Sequence, residues 1–461
     1  MVEQELGHNL IRTLISTQHT TIADQAKHIE GLRSGEDVDE GDTAGVDLMA
    51  EIETALEPLL GNCLDSLRQN PKSTLPPQAT VFLTGATGYL GSELLRHLLR
   101  DAKFGRVVAH ARAPSPEAGL ERVVKAARIN GWWRDSYADR IEIWTGDLGS
   151  HRLGLDDGQW DRLAGNYSGL NVDAIVHNGA VVNWNSSYDA LYEANVKSAT
   201  ELLRLTMLSP RNPKFIFISG GVKFDTQEDK PGTASALANL MGYTQTKFVA
   251  ETVINEVALR LPEGQNRIST IKPGRIIGTA EEGVANLDDF LWRIVGTAVA
   301  MGAYPTGPDE KWMFIEGVDI ISSLVTSKLG TSSDGVTAFD DMKIGVSVGR
   351  FWSLVNSQLP PGQPLKPTPL DEWVKRAVHI ASEVVGEKHP LYPVQNFLGA
   401  VGYPIEPEEG EKAWGGEMVR KLEGGIRASV KYIVECGYVD LCRGEDVELK
   451  GVIQRSTAVQ V

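Results

Sequence analysis

Cysteine is scarce in this chain: three residues among 461, at Cys63, Cys436 and Cys442. Three thiols build no disulfide framework and none of the paired spacings of a metal site. They read as small apolar or surface residues in a reducing compartment, and no metal is expected. Long apolar runs are missing too. No stretch approaches the roughly 18 consecutive apolar residues of a membrane-spanning helix, and Met1 to Thr20 lacks the basic and apolar regions of a signal peptide. Positive charge is in deficit, with 45 Lys and Arg against 61 Asp and Glu and a net charge of −16. That balance favours solubility and argues against nucleic acid or an anionic membrane as the partner. A soluble cytoplasmic protein is expected, with other targeting routes left open. What is present is a globular hydrophobic content of 42%, in a chain long enough for two or three units of ordinary domain size.

Residues 1–76 read as an N-terminal helical and linker segment. Glu30 to Val46 is rich in Gly, Asp and Glu, the composition of a solvated linker. Leu48, Ile52, Leu56, Leu59, Leu60, Cys63, Leu64 and Leu67 recur at helical spacing, with Pro58 as a kink. Asn70 to Pro77 then breaks the chain. From Ala79 onward apolar strands alternate with amphipathic helices. After a first strand beginning there, further strands are expected at Arg106–Ala111, Ile141–Thr145, Ala174–His177, Lys214–Ser219 and Ser269–Lys272. This βαβ alternation predicts an α/β fold, a Rossmann-type doubly wound parallel sheet over residues 77–278. Beyond Gly278 the pattern weakens into helices, loops and Pro-rich breaks at Leu359–Gly362 and Pro364–Pro369. A smaller, mainly helical C-terminal lobe is expected over 279–461. No internal repeat is visible.

The first strand runs into Gly85-Ala86-Thr87-Gly88-Tyr89-Leu90-Gly91, three glycines at G-x-x-G-x-x-G spacing, and Leu90, Leu94, Leu95, Leu98 and Leu99 follow at helical spacing. Glycines suit a tight strand-to-helix turn where a pyrophosphate approaches the backbone at a helix N-terminus. Such turns also occur without a ligand. Gly85, Thr87, Gly88, Tyr89, Leu90 and Gly91 are candidate dinucleotide contacts. Arg112 closes the second strand, twenty-one residues after Gly91. An acidic residue there would accept the ribose hydroxyls of NAD; the planar fork of an arginine suits the 2′-phosphate of NADP. Arg122, on the next helix, can assist. The competing readings are a solvated strand-end charge for Arg112 and a plain helical surface residue for Arg122. Asp147, with Leu148 after it, either stands on the adenine side of the cofactor or is a simple turn aspartate.

Tyr243 and Lys247 are four residues apart, on one face of a helix. A phenol with a pKa near ~10 is a poor acid or base at neutral pH, and an adjacent ammonium favours its phenolate. The same lysine can hold a nicotinamide ribose. Alone, Y-x-x-x-K is frequent by chance on helix surfaces; after the fifth strand of a Rossmann pattern it has the context its chemistry demands.

These residues resemble the extended short-chain dehydrogenase/reductases, which share the glycine motif and the Tyr–Lys pair. More narrowly, the chain is similar to the thioester reductase domains that end many nonribosomal peptide synthetases, polyketide synthases and carboxylic acid reductases. Three stretches carry this narrower resemblance. They are His177-Asn178-Gly179-Ala180-Val181-Val182-Asn183-Trp184 with Tyr188, Leu191 and Asn195-Val196; the run from Gly242 to Glu251; and Lys272-Pro273-Gly274-Arg275-Ile276-Ile277-Gly278-Thr279. The similarity covers about residues 78–330 and is looser to the end, where Trp312, Val318-Asp319 and His389-Pro390-Leu391-Tyr392-Pro393 fit the family's substrate lobe. Residues 1–76 are not covered.

The resemblance implies NADPH as cofactor, with Asn178, Gly179, Ala180, Pro273, Gly274 and Ile276 added to its contacts. It implies Tyr243 and Lys247 as a proton relay acting on an acyl thioester borne by phosphopantetheine. The partner is then a carrier (thiolation) domain, in cis or in trans, and the product an aldehyde, or an alcohol after a second reduction. Leu64-Asp65-Ser66-Leu67 has the local form of a phosphopantetheine attachment site, yet the first reductase strand begins about fifteen residues later. That leaves no room for the remaining carrier helices, and a docking or linker helix is the reading.

One departure from the family stands out. A Ser or Thr normally follows the serine at the end of the fifth strand, and here Ser219 is followed by Gly220 and Gly221. Either Ser219 supplies the hydroxyl that polarises the substrate carbonyl, or backbone N–H groups of the glycine turn do, or Thr226 swings in. Ser219 is taken as the catalytic residue. His177 is read as packing under the cofactor or bonding locally rather than as a base. Asn195 either supports the Tyr–Lys pair through a water or is structural. Trp184, Trp292 and Trp312 either line a channel or are core. Arg122, Lys125 and Arg128 read as a solvated face, with docking of an acidic carrier as the alternative. Three other functions are weighed: an extended dehydrogenase acting on a free carbonyl or sugar, a non-redox Dieckmann-type release domain, and a nucleotide-sensing module. The second characteristically lacks the tyrosine, and the third would not need both Tyr243 and Lys247.

Overall fold

The computed structural model describes residues 45–69, 74–220, 229–261, 267–307, 312–331, 338–342, 344–400 and 416–451. In chain order these form α1 (Leu48–Leu56), α2 (Asn62–Gln69), β1 (Ala79–Thr84), α3 (Tyr89–Arg100), β2 (Phe104–Ala111), α4 (Pro116–Ile129) and β3 (Ile141–Thr145). Next come α5 (Asp157–Ala164), β4 (Ala174–His177), α6 (Tyr188–Tyr192), α7 (Ser198–Leu208), β5 (Lys214–Ile218), α8 (Lys230–Leu237), α9 (Gly242–Leu259) and β6 (Ile268–Lys272). Then follow β7 (Arg275–Ile277), α10 (Phe290–Met301), β8 (Ala303–Thr306), β9 (Trp312–Gly317), α11 (Val318–Gly330), β10 (Phe339–Asp341) and β11 (Gly345–Ser347). The last are α12 (Val348–Asn356), β12 (Lys366–Pro369), α13 (Leu370–His379), α14 (Gly416–Glu435) and α15 (Tyr438–Cys442).

The fold is α/β and Rossmann-type. Seven strands form one sheet in the order β10-β6-β5-β4-β1-β2-β3. β1 runs parallel to β2 with Val81 opposite Val107, β2 parallel to β3, and β4 parallel to β5 with Ile175 opposite Phe215. All six residues of β1 and all five of β5 are buried, and both strands are largely apolar, as parallel strands covered on both faces are. By internal contacts the chain divides into two units, one drawn from 1–73, 146–270 and 333–338, the other from 74–145, 271–332 and 339–461.

In the first unit α9 is the central helix, and most of its residues are buried. α1 packs on α9 and α2 on α7. α1 begins where the Asp47 carboxylate accepts the N–H groups of Met49 and Ala50, each at 3.1 Å, the N-cap geometry. It ends at Glu57, where Pro58 opens a 3-10 turn. Leu48, Ile52, Ala55, Leu59 and Leu67 are buried. The Tyr188 hydroxyl donates to Glu51 at 2.9 Å. α6 runs into α7 through one π-helical turn, Glu193–Lys197.

In the second unit α3 lies on β2, and α11 packs on α3. A three-stranded sheet, β11-β9-β7, and a two-stranded sheet, β12-β8, accompany the C-terminal helices. β7 runs parallel to β9 and β11 antiparallel to it. α10 starts at the Asp289 cap, which accepts the Leu291 N–H at 2.8 Å. The Tyr438 hydroxyl ties α15 to the chain before α10, donating to the Leu287 carbonyl at 2.8 Å. Among the described residues no helix is long and apolar enough to cross a membrane.

Candidate active site

In the first unit the Tyr–Lys helix meets the end of β5. Lys247 is buried, and its Nζ donates to the Ile218 carbonyl at 2.7 Å. The same ammonium stands 4.3 Å from the centre of the Phe217 ring, a cation–π contact that holds a charge which burial alone would expel. A Cβ built on Gly220 would stand 3.1 Å from the Tyr243 hydroxyl oxygen and 3.9 Å from Lys247 Cε. The phenol therefore lies over Gly220, in the space that a serine or threonine there would contest. Ser219 itself is buried, and its Oγ donates to Glu251 Oε2 at 2.5 Å. Gly221 and Thr226 lie outside the described residues.

The helix is braced from the other side by Asn195. Its amide exchanges hydrogen bonds with the backbone of Val181, at 2.7 and 3.0 Å, and donates to Thr246 Oγ1 at 3.1 Å. Thr246 Oγ1 donates in turn to the Tyr243 carbonyl at 2.9 Å. Asn195 thus reaches the helix directly. It sits in the π-helical turn, a distortion frequent at functional sites because it re-aims a side chain. His177 stacks on Phe217 with ring centres 5.8 Å apart and shares a hydrogen bond with Ser198 Oγ at 3.3 Å, a local role. Asn178, Gly179 and Ala180 follow the end of β4. The Asp147 carboxylate accepts the Gly149 N–H at 2.9 Å, closing its own turn, and Leu148 is half-buried between them. Trp184 is half-buried.

In the second unit β1 enters α3 through the glycine turn. Gly85 has φ +69, the left-handed region that glycine occupies at little cost, and its carbonyl accepts the Gly88 N–H at 3.0 Å. A Cβ on Gly91 would stand 1.9 Å from the Gly85 oxygen, so only glycine lets the first turn of α3 close over the strand end. Gly88 is the N-cap and offers no side chain to the helix's first N–H groups, which leaves them for an anion. Thr87 is half-buried and Leu90 buried. The Tyr89 hydroxyl donates to the Val284 carbonyl at 2.6 Å, and burial, reinforced by Asp289 and Glu93, holds the phenol well above its ordinary pKa. Arg112 and Arg122 come together: Arg122 Nη1 donates to the Arg112 carbonyl at 2.5 Å, and both side chains are exposed. Pro273 is buried, the Gly274 N–H donates to Glu316 at 2.5 Å, and Ile276 lies in β7 opposite Glu316. Trp292 and Trp312 are buried.

Two contacts had no counterpart in the sequence reading, Glu251 to Ser219 and Glu51 to Tyr188. Glu251 stands four residues after Lys247 and eight after Tyr243, which is the one signal that would have drawn attention to it.

The profile of a family described as male sterility protein, an NAD-binding family, matches residues 83–325. The nonribosomal peptide synthetase inpA of Emericella nidulans is 35% identical over 363 residues, 78% of this chain and 24% of the relative. The N-benzoylphenylalaninol synthetase apmA of Penicillium brevicompactum is 33% identical, over 79% of this chain and 15% of the relative. The chain thus spans about a quarter or less of the curated relatives it matches. Among solved structures, the PhqB reductase domain from Penicillium fellutanum superposes with a TM-score of 0.66 at 31% identity, covering 81% of this chain and 97% of that one. The terminal R domain of the myxalamid PKS-NRPS pathway gives a TM-score of 0.67 at 25% identity, covering 85% of this chain and 99% of that one. A profile over more than half of the sequence and a reductase domain matched over nearly its full length assign the chain to the male sterility protein family of NAD-binding domains, among the terminal reductase domains of nonribosomal peptide and polyketide synthases.

Proposed function

We propose that this chain is an NADPH-dependent thioester reductase that frees an acyl group from a phosphopantetheine-bearing carrier domain as an aldehyde. The observation that carries the reading is the clasp at the end of β5, with Lys247 buried on the Ile218 carbonyl and the Tyr243 hydroxyl over Gly220. In this reading Tyr243 is the proton donor and Lys247 the fixed cation that supports it.

The residues present fit the cofactor. A Cβ on Gly91 would meet the Gly85 carbonyl, Gly85 holds a positive φ, and α3 opens with uncapped N–H groups suited to a pyrophosphate. Thr87, Gly88, Tyr89 and Leu90 would line it. Arg112 and Arg122 would take the 2′-phosphate, and two guanidinium groups at one strand end favour NADPH over NADH. Asp147, Leu148, Asn178, Gly179, Ala180, Pro273, Gly274 and Ile276 would complete the contacts. When bound, the nicotinamide supplies a hydride to the carbonyl carbon. Tyr243 gives its proton to the carbonyl oxygen, and Lys247 lowers the cost of the phenolate left behind and returns a proton to it. Ser219 follows β5 beside this pair, with its hydroxyl donated to Glu251. The resulting thiohemiacetal loses the carrier thiol and leaves the aldehyde.

The test is to incubate the chain with NADPH and an acyl-pantetheine or carrier-bound thioester. Cofactor oxidation with release of thiol and aldehyde is expected. Oxidation with a free aldehyde or sugar and with no thioester would overturn the proposal. Release of an alcohol is a second reading, favoured by the relative named for phenylalaninol, an amino alcohol. Two cofactors consumed per thiol released would select it.

A further inference from the structure

Three consecutive residues at the end of β5 are each engaged by one member of a stripe on α9. The Ile218 carbonyl takes Lys247 Nζ at 2.7 Å, Ser219 Oγ donates to Glu251 at 2.5 Å, and Gly220 lies beneath the Tyr243 hydroxyl. Tyr243, Lys247 and Glu251 stand at i, i+4 and i+8, one face of the helix. Glu251 is 1% exposed and Ser219 5%. A carboxylate buried so completely must be hydrogen-bonded, and stripping its partner costs more than the bond contributes.

We propose that Glu251 is a positioning residue of the reaction. Through Ser219 it fixes the strand end in register with α9, and thereby fixes both the carbonyl that seats Lys247 and the glycine beneath Tyr243. Ser219 then serves the turn rather than the substrate, because its one proton is committed to Glu251. The oxygen of the substrate receives its proton from Tyr243. The inference rests on the reading of Tyr243 and Lys247 as the proton-handling pair.

Glu251→Gln keeps the side chain's volume and an acceptor for Ser219, whereas Glu251→Ala removes both, so Ser219→Ala, which removes the bond with little change of volume, separates the bond from the packing. In the thioester assay Glu251→Ala is expected to lower kcat by about tenfold or more, the scale of one buried hydrogen bond lost beside a reacting group. KM for NADPH and for the thioester should stay within about twofold, since neither is touched. Glu251→Gln should recover most of the rate. Ser219→Ala should match Glu251→Ala, and the double variant should be no worse than either. A second readout needs neither substrate nor cofactor: the ultraviolet titration of the Tyr243 phenol, with Tyr243→Phe as blank. Its midpoint should lie higher in Glu251→Ala than in Glu251→Gln, because Lys247 is then less firmly held beside the phenol. This titration decides the role of Glu251 even if no thioester is turned over, the result that would instead sink the reductase reading. Should Glu251→Ala fail to fold, Ser219→Ala removes the same bond from the strand side. Equal rates and equal midpoints for the alanine and glutamine variants would overturn the proposal. So would a Ser219→Ala loss far exceeding that of Glu251→Ala, which would put the hydroxyl on the substrate.

Discussion

At the scale of single residues the chemistry falls on a few side chains. If Tyr243 donates the proton, Tyr243→Phe should lower kcat by about 10²- to 10⁴-fold, the span of one general acid. NADPH affinity, read by fluorescence titration, should hardly move. A loss confined to affinity would make the phenol a binding group. The arginines answer a separate question. Arg112→Ala with Arg122→Ala should weaken NADPH by about tenfold or more and leave NADH nearly unchanged. Charge-assisted hydrogen bonds contribute about 1.5–3 kcal/mol each, and roughly 1.4 kcal/mol is one decade. Equal weakening of both cofactors would return these residues to the solvated surface. The sequence revealed which residue types share a helix face, so Tyr243 and Lys247 were readable as a pair. It did not reveal what that face meets. The Ile218 carbonyl that seats Lys247 belongs to the backbone, and no side-chain pattern encodes it. Glu251 shared the spacing of that face, but a glutamate in a helix reads as solvated surface until its burial is seen.

At the scale of elements, legibility follows burial. β1 to β6 lie within two residues of the runs expected, because strands covered on both faces are mostly buried and largely apolar. The short strands β7, β8 and β12 had no such signature: only three or four residues long, they mix buried with half-exposed or exposed positions, and β8 and β12 carry proline. α1 illustrates the intermediate case. Its periodicity was plain from Leu48, Ile52 and Leu56, but not that it lies on α9 with Glu51 accepting from Tyr188. Burial, then the Glu51 carboxylate, pushes the Tyr188 phenol above its ordinary pKa, so it stays a donor. Ile52 is 4% exposed, and Ile52→Ala should destabilise the chain by about 2–5 kcal/mol through lost burial and a cavity. The midpoint of thermal unfolding should fall accordingly. Because α1 rests on the helix that bears Tyr243 and Lys247, kcat should fall with it at temperatures where the wild type is fully folded. An unchanged midpoint would mean that α1 adds nothing to the unit.

At the scale of the whole molecule, stability against pH exposes a buried group outside the proposed proton-handling pair. His389 is 1% exposed, and its Nδ1 accepts the Leu391 N–H at 3.1 Å, which requires the neutral ring. Burial pulls its pKa down to about 4, against about 6.5 in an unfolded chain. Between these values the unfolded state holds a proton that the folded state refuses, so stability rises with pH through this window. It is complete above the unfolded value and is lost as pH falls toward 4. Burial also raises the carboxyls of Asp289 and Asp319 above their usual range. Those two act in the opposite sense, adding stability in acid that is lost as pH rises past their folded values. A total profile therefore mixes both signs, and a difference between variants separates them. Asparagine at this position keeps an acceptor for the Leu391 N–H and does not titrate. From urea unfolding, the wild type should gain about 2 kcal/mol more than His389→Asn between about pH 5 and about pH 7, from two-state linkage for a single group. Parallel profiles for the two proteins would show that the ring is charged in the folded state as well. The acid sensitivity of the chain would then belong to its carboxylates: Glu256, lowered against its own burial by Lys230 and Arg260, and Glu423, lowered by Arg350.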